Sequence, residues 1–165
     1  DLCLSNGITV ESVPGPTAFA TAMAMSGLPS GRFTFEGFLS VNKPSRREHL
    51  EEIVSERRTM VFYEAPHKLT ATLKDLYKYL GDRRIALIKE LTKIHETVER
   101  TTLSEACEKY SAQTPKGEFV IVIEGSTEPK QKEVSLDEAV ALAKGLVENG
   151  MAINDAAKEI AKEIK

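Results

Sequence analysis

The sequence predicts an α/β fold, a mixed sheet flanked by helices, followed by a small all-helical appendage. Three observations predict it. Apolar runs rich in Val, Ile, Phe and Leu alternate at short intervals with segments of helical periodicity. The extended piece "ETVERTT" follows closely on the run "RRIALIKEL" and is placed to pair antiparallel within the sheet, which makes the sheet mixed. The polar, proline-containing stretch "STEPKQKEV" (126–134) separates these elements from two further helical segments. A chain of 165 residues that is 41% apolar can bury one ordinary core and carry an appendage.

The opening "DLCLSNGITVESV" reads as the last turn of a helix stopped by Asn6-Gly7 and then a strand over Ile8 to Val13, as though continuing a longer chain. In "PGPTAFATAMAMSGLP", the small and apolar residues Thr17 to Met25 suit a buried helix, with Pro16 near its first turn and Gly27 as its stop. "RFTFEGFL" reads as a strand or bent edge with a bulge at Gly37. Ser45 and Glu48 have capping-box spacing before a surface helix "RREHLEEIVSE".

"RTMVFYEA" is a strand, and Pro66 opens a helix in which Leu69, Leu73, Leu76 and Leu80 recur on one face before Gly81 ends it. "RRIALIKEL" is the next strand, and Thr102 with Glu105 caps a short helix ending near Tyr110. "GEFVIVIEG" is nearly all apolar, the mark of a central strand. Ser135 and Glu138 form a third capping-box pair before "LDEAVALAKGLVENG", and "INDAAKEIAKEIK" follows the Gly150 turn. The two segments resemble the start of a helix-turn-helix, although their mixed charges do not form a basic recognition face.

The formal net charge of -3 neither demands nor excludes a polyanionic partner. Two widely separated cysteines, Cys3 and Cys107, suit a reducing compartment, and no apolar run is long enough to cross a bilayer; both features predict a cytoplasmic protein. His49, His67 and His95 fall in different elements, and the H-x-x-E of His49 and Glu52 lies on a charged helix, so no metal site is predicted. Phosphate-loop, dinucleotide and nucleophile-elbow fingerprints are also missing.

What remains is four strand ends, "SVPGPTA", "FYEAPHK", "IKELTK" and "VIVIEG", each with small or polar residues just past an apolar run. In open α/β sheets ligands bind beyond the carboxyl ends of strands, beside free helix N–H groups. Either the four ends line one pocket or they are ordinary short connections.

The stretches "SVPGPTAFATAMAMSGLPSGRFTFEGFL", "RTMVFYEAPHKL", "ALIKELTKIHETVERTTLSE" and "GEFVIVIEG" resemble, in order and spacing, the C-terminal half of the bacterial 16S ribosomal RNA ribose 2'-O-methyltransferase I family, within the tetrapyrrole (corrin/porphyrin) methylase superfamily. The likeness runs from about Ile8 to Gly125. It implies a two-domain S-adenosylmethionine-dependent methyltransferase that binds its cofactor between an N-terminal and a C-terminal domain. On that reading residues 1–13 are the end of the N-terminal domain and its connector, 14–125 the C-terminal α/β domain, 126–134 a linker and 135–165 a helical tail.

The resemblance also implies site residues. Thr17 and Ala18 match the small residues that approach the cofactor, Tyr63 and Glu64 the strand end lining its methionine part, Leu91 and Thr92 the next strand end, and Glu124 the last. Aromatic faces and carboxylates stabilise a sulfonium cation, a role open to Tyr63 and Glu64. The implied reaction is attack of a cytidine ribose 2'-hydroxyl of 16S ribosomal RNA on the cofactor methyl group, with no identifiable general base. Lys43, Arg46, Arg47, His67 and Lys68 are candidate RNA contacts, although "KPSRR" also reads as a solvated helix entrance and His67 as part of a helix start. The implied partners are the small ribosomal subunit, the N-terminal domain and a second copy in a homodimer. A tetrapyrrole or corrin methylase, and a noncatalytic α/β interaction module, are the alternatives.

Overall fold

The computed structural model describes residues 1–127 and 136–163, with side chains described over 139–160 of the second span. The chain divides into two units, Asp1–Thr127 and Glu128–Lys165. The first contains α1 (Leu2–Ser5), α2 (Ala18–Ser26), β1 (Phe33–Gly37), α3 (Lys43–Glu52), β2 (Thr59–Glu64), α4 (Pro66–Leu80), β3 (Arg84–Lys89), β4 (Thr97–Thr102), α5 (Leu103–Ala112) and β5 (Phe119–Ile123). The second contains α6 (Leu136–Glu148) and α7 (Ile153–Glu163).

The sheet order, β1-β2-β5-β3-β4, follows the polarity of the strands. β5, "FVIVI", is buried at every position and takes the centre, whereas β4, "TVERTT", is polar except for Val98 and takes an edge. β1 pairs parallel with β2, and its register shifts between Phe35 and Gly37, where a positive φ makes room for the bulge. The β2–β5, β5–β3 and β3–β4 pairings are antiparallel, so the sheet is mixed.

Strand alternation divides the core into two layers. Phe62, Leu87, Phe119 and Ile121 join Leu50, Leu69, Leu73, Leu76 and Leu103 on the side of α3, α4 and α5. Val61, Ala86, Ile88, Val120 and Val122 face Ala22 and Met23 of α2. The four-residue leucine spacing of α4 has its consequence here: Leu69, Leu73 and Leu76 are fully buried, each contributing roughly 1.5–3 kcal/mol relative to an exposed position. Helix α2 ends at Gly27 in the left-handed conformation, and Arg100 of β4 donates to the Met25 and Ser26 carbonyls at 2.6 and 3.0 Å.

Two local expectations are corrected. Ile8 to Val13 is irregular rather than a strand, and Ile8, Val10 and Val13 are exposed; a strand needs a neighbour, and none of the described strands pairs with this segment. Helix α3 is capped by Asn42, whose Oδ1 accepts the Ser45 N–H at 3.2 Å, so Ser45 lies inside the first turn and Ser45–Glu48 is not the box. At α5 the Thr102 hydroxyl accepts the Glu105 N–H at 3.4 Å, while the Glu105 carboxylate turns to the Thr101 hydroxyl.

In the second unit α6 is followed by a turn at Gly150, where bonds from Met151 N–H to the Leu146 carbonyl and from Gly150 N–H to the Val147 carbonyl close a Schellman motif. Ala156 and Ile160 are buried, while Val140, Leu142 and Ile153 stay exposed. The predicted Ser135–Glu138 cap and residues 128–134 of the linker lie outside the described residues.

Candidate active site

A cavity of about 440 Å³ opens at one end of the sheet, within the size range of small-molecule sites. Its walls come from four elements. The start of α2 supplies Pro16, Thr17, Ala18 and Thr21, the end of β2 supplies Tyr63, Glu64 and Ala65, and the end of β3 supplies Ile88, Leu91 and Thr92. The start of β5 supplies Glu118, Phe119 and Val120, and Phe38 closes the rim.

Thr17 is the N-cap of α2, yet its side chain makes no capping bond. One of the helix's free N–H groups is satisfied from across the cavity wall instead: the Phe19 N–H donates to the Tyr63 hydroxyl at 3.0 Å. The Tyr63 ring stands edge-on to Phe35 and Phe38, with centroids 4.9 and 5.6 Å away, and Phe19 lies 5.0 Å from Phe35. Phe35 and Phe38 are 47% and 64% exposed, so an aromatic face is open to a ligand.

Alternation turns the Glu64 side chain to the opposite side from Tyr63. Its carboxylate accepts the Thr72 hydroxyl of α4 at 2.5 Å and the Ala65 N–H at 2.8 Å. Thr72 in turn receives a guanidinium N–H of Arg46 at 2.9 Å, and Arg46 Nε donates to Asp75 at 2.7 Å. Glu64 is 4% exposed, and its carboxylate is engaged in a buried relay toward α4 while the residue also lines the cavity.

The chain leaves β3 through a strained turn. Glu90 and Thr92 have φ of 54° and 62°, the two positive values at non-glycine positions among the described residues. A β-branched threonine held there costs about 1–3 kcal/mol. The Thr92 N–H donates to the Glu96 carboxylate at 2.7 Å. The Glu118 N–H, and then the Lys93 ammonium, hold the Glu90 carboxyl below its usual range.

Three of the predicted strand ends thus converge, contributing Thr17, Ala18, Tyr63, Glu64, Leu91 and Thr92. Glu124 does not join them. Because β5 runs antiparallel to β2 and β3, its carboxyl end points away from the cavity and its amino end, Glu118–Val120, takes the expected place. Glu124 pairs with Arg84, the first residue of β3, with Nε 2.8 Å from Oε2, and that guanidinium lowers its carboxyl pKa. Sequence reasoning also missed Phe38 as a wall residue, although it sits in the quoted "FEGF".

The RNA candidates separate in the same way. Arg46 is bound to Thr72 and Asp75 with its side chain 17% exposed, so it joins α3 to α4 and is not a free cation. Arg47 is 71% exposed beside Glu51, Lys43 and His67 are exposed, and Lys68 is half-buried. His49 bonds Glu36 at 2.9 Å, and no group of potential metal ligands occurs among the described residues. The polar side chains of the lining are those of Thr17, Thr21, Tyr63, Glu64, Thr92 and Glu118.

The profile of the Tetrapyrrole (Corrin/Porphyrin) Methylases matches residues 2–107. The chain is 40% identical over 164 residues to "Ribosomal RNA small subunit methyltransferase I" of Synechocystis sp., covering 99% of this chain and 59% of that protein. It is 41% identical over 123 residues to the protein of the same name from Thermotoga maritima, covering 74% and 55%. The chain therefore spans a little over half the length of these curated relatives. Among solved structures, the methyltransferase CobJ aligns with a TM-score of 0.57 at 22% identity, covering 75% of this chain and 54% of that one. Cobalt precorrin-4 methyltransferase CbiF aligns with a TM-score of 0.54 at 19% identity, covering 74% and 55%. At those identities the structures speak for the fold alone.

Proposed function

The chain belongs to the tetrapyrrole (corrin/porphyrin) methylases, and from that premise we propose that it is the C-terminal half of an S-adenosylmethionine-dependent methyltransferase. Its substrate on this reading is the ribose 2'-hydroxyl of a cytidine in 16S ribosomal RNA. The observation that carries the proposal is one cavity with two kinds of wall: the aromatic face of Tyr63 and Phe38, and the start of α2 with its unengaged Thr17 side chain. The relatives named as ribosomal RNA small subunit methyltransferases support the choice of RNA over a ring substrate.

The residues present suit the cofactor. When bound, it supplies an electrophilic methyl group on a sulfonium centre. Tyr63 and Phe38 offer ring faces to a cation. Thr17 and the Ala18 N–H at the entrance of α2 offer hydrogen bonds to polar ends, and the small Ala18 side chain permits close approach. Leu91, Ile88 and Val120 exclude water from the apolar part. The task left to the protein is alignment, holding the attacking oxygen in line at near-attack distance. Lys43, Arg47, His67 and Lys68 are the proposed contacts to RNA. A cytoplasmic homodimer, completed on the open side of the cavity by an N-terminal domain, is the proposed working form; no described helix is long and apolar enough to cross a membrane.

The test is methyl transfer by the full-length protein from labelled S-adenosylmethionine to small ribosomal subunits. Digestion of the RNA to nucleosides should place the label in 2'-O-methylcytidine. Label in a base, or turnover only on a corrin or porphyrin, would overturn the assignment.

A further inference from the structure

Glu90 is absent from the cavity wall, and the sequence does not mark it as a site residue, yet it contacts Gly117, Glu118 and Lys93, the residues beside two parts of that wall. Its own N–H donates to the Glu118 carbonyl at 3.0 Å, and its Oε1 accepts the Glu118 N–H at 2.9 Å. Lys93 bridges the same Oε1 at 3.0 Å and the Glu118 carboxylate at 3.2 Å. The side chain lies over Gly117, which has φ of 84°; a Cβ there would stand 2.6 Å from Glu90 Cγ, inside any permitted contact. The next residues, Leu91 and Thr92, line the cavity on one side and Glu118 lines it on another. Glu90 thus fastens the end of β3 to the start of β5, across the turn in which Glu90 and Thr92 carry positive φ.

We infer that Glu90 is a positioning residue for the cofactor: from behind the wall it holds the Glu90–Thr92 turn in its strained conformation, so that Leu91 and Thr92 form a preformed surface for the ligand. The inference rests on the cofactor reading above. A turn needed only to connect β3 to β4 is most stable with glycine at a left-handed position, because glycine adopts it without steric penalty. A threonine there, with its N–H tied to Glu96 and its neighbour fastened to Glu118, is a conformation the surroundings impose. Strain held in place by several bonds at a cavity wall is a means of pre-organisation: the binding surface exists before the ligand arrives, and less ordering is left for binding to overcome.

The test is calorimetric titration of the full-length protein with S-adenosylhomocysteine, at a temperature where thermal melts show every variant folded. Glu90→Ala should weaken binding about tenfold, the scale of one lost hydrogen bond to a charged group. Glu90→Gln keeps an acceptor for the Glu118 N–H and should stay within about threefold of wild type. Thr92→Gly should melt at the same or a higher temperature and still bind more weakly, having lost both the held turn and its own side chain on the wall. Glu90→Ala and Thr92→Gly together should lose less affinity than the two losses added, because a relaxed turn leaves Glu90 nothing to hold. Wild-type affinity in folded Glu90→Ala, or additive losses in the double variant, would overturn the inference while leaving the cofactor reading intact. If Glu90→Ala does not fold, unchanged affinity in Thr92→Gly overturns it. No binding by the wild-type protein would remove the cofactor reading and this inference together.

Discussion

The hydroxyl of Tyr63, at the end of β2, accepts the N–H of Phe19 in the first turn of α2 at 3.0 Å, joining two walls of the cavity across 44 positions of sequence. A tyrosine here does what a phenylalanine of the same shape cannot. Tyr63→Phe keeps the ring contacts to Phe35 and Phe38 but leaves a half-buried N–H unpaired, at a cost of about 1 kcal/mol. The variant should melt a few degrees lower. If the α2 entrance forms part of the cofactor seat, S-adenosylhomocysteine should also bind several-fold more weakly to the full-length protein. Equal affinity would mean that the entrance of α2 does not shape the seat.

The neighbouring arginines of α3 provide a sharper separation. Arg46 is the charged end of the relay Arg46–Thr72–Glu64, and it also pairs with Asp75. Arg47 is exposed, beside Glu51 at 3.5 Å. Arg46→Ala should destabilise the protein by about 1–3 kcal/mol in urea unfolding, because the buried Thr72 hydroxyl and the partly exposed Asp75 carboxylate lose a charged donor. Arg47→Ala should stay within about 0.5 kcal/mol of wild type. On RNA the order should reverse: losing Arg47 should flatten the salt dependence of subunit binding by about one unit, and losing Arg46 should not. A flattened salt slope in Arg46→Ala would return that residue to the RNA surface.

Most strands and helices were legible because their signals are local: leucines at helical spacing in α4, glycines at the ends of α2 and α4, an unbroken apolar run for β5 and a largely polar one for β4; the predicted strand over Ile8 to Val13 had a local signal but no pairing partner. The convergence of strand ends was legible in kind but wrong at Glu124. An all-apolar strand carries no mark of its direction, and the direction of β5 depends on pairing with β2 and β3, which lie tens of residues away. The Ser45 cap failed for the opposite reason, an excess of local signal: Asn42 and Ser45 are both good caps, and only the turn geometry chooses between them. Glu64 carries the most general lesson. A carboxylate at the end of a strand beside a cavity reads as free to meet a ligand, whereas here the Thr72 hydroxyl and the Ala65 N–H already donate to it, partners that the sequence pattern does not show.

The turn entering β2 gives a prediction in acid. Glu56 accepts side-chain and backbone hydrogen bonds from Arg58, which bring its carboxyl from 4.5 down to about 2. A carboxyl with a lowered folded-state pKa stabilises the fold above its unfolded value, near 4.5, and loses that contribution as pH falls toward about 2. Because Arg58 is 44% exposed, solvent screening leaves a contribution of only about 1 kcal/mol. Arg58→Gln should therefore be about 1 kcal/mol less stable than wild type at neutral pH. Urea unfolding near the acid end of the window should find the two proteins nearly equal. A gap that stays constant across the acid range would mean that the pair makes no pH-dependent contribution.

The antiparallel course of β5 makes its own prediction at the far end of the sheet. Glu124 and Arg84 bond side chain to side chain, and the Glu124 N–H also donates to the Arg84 carbonyl at 2.9 Å, fixing the β3–β5 pairing where β3 begins. The cavity lies where β3 ends. A substitution at Glu124 therefore reaches the cavity only through the rigid length of two strands. Glu124→Gln removes the charge and keeps the backbone bond; with Arg84 64% exposed, the loss should be 1 kcal/mol or less. S-adenosylhomocysteine affinity in the full-length protein should stay within about twofold of wild type, as expected for sites that share no partner. A loss comparable to that of Tyr63→Phe would show that the carboxyl end of β5 does reach the ligand, and would undo the assignment of Glu118–Val120 to that wall.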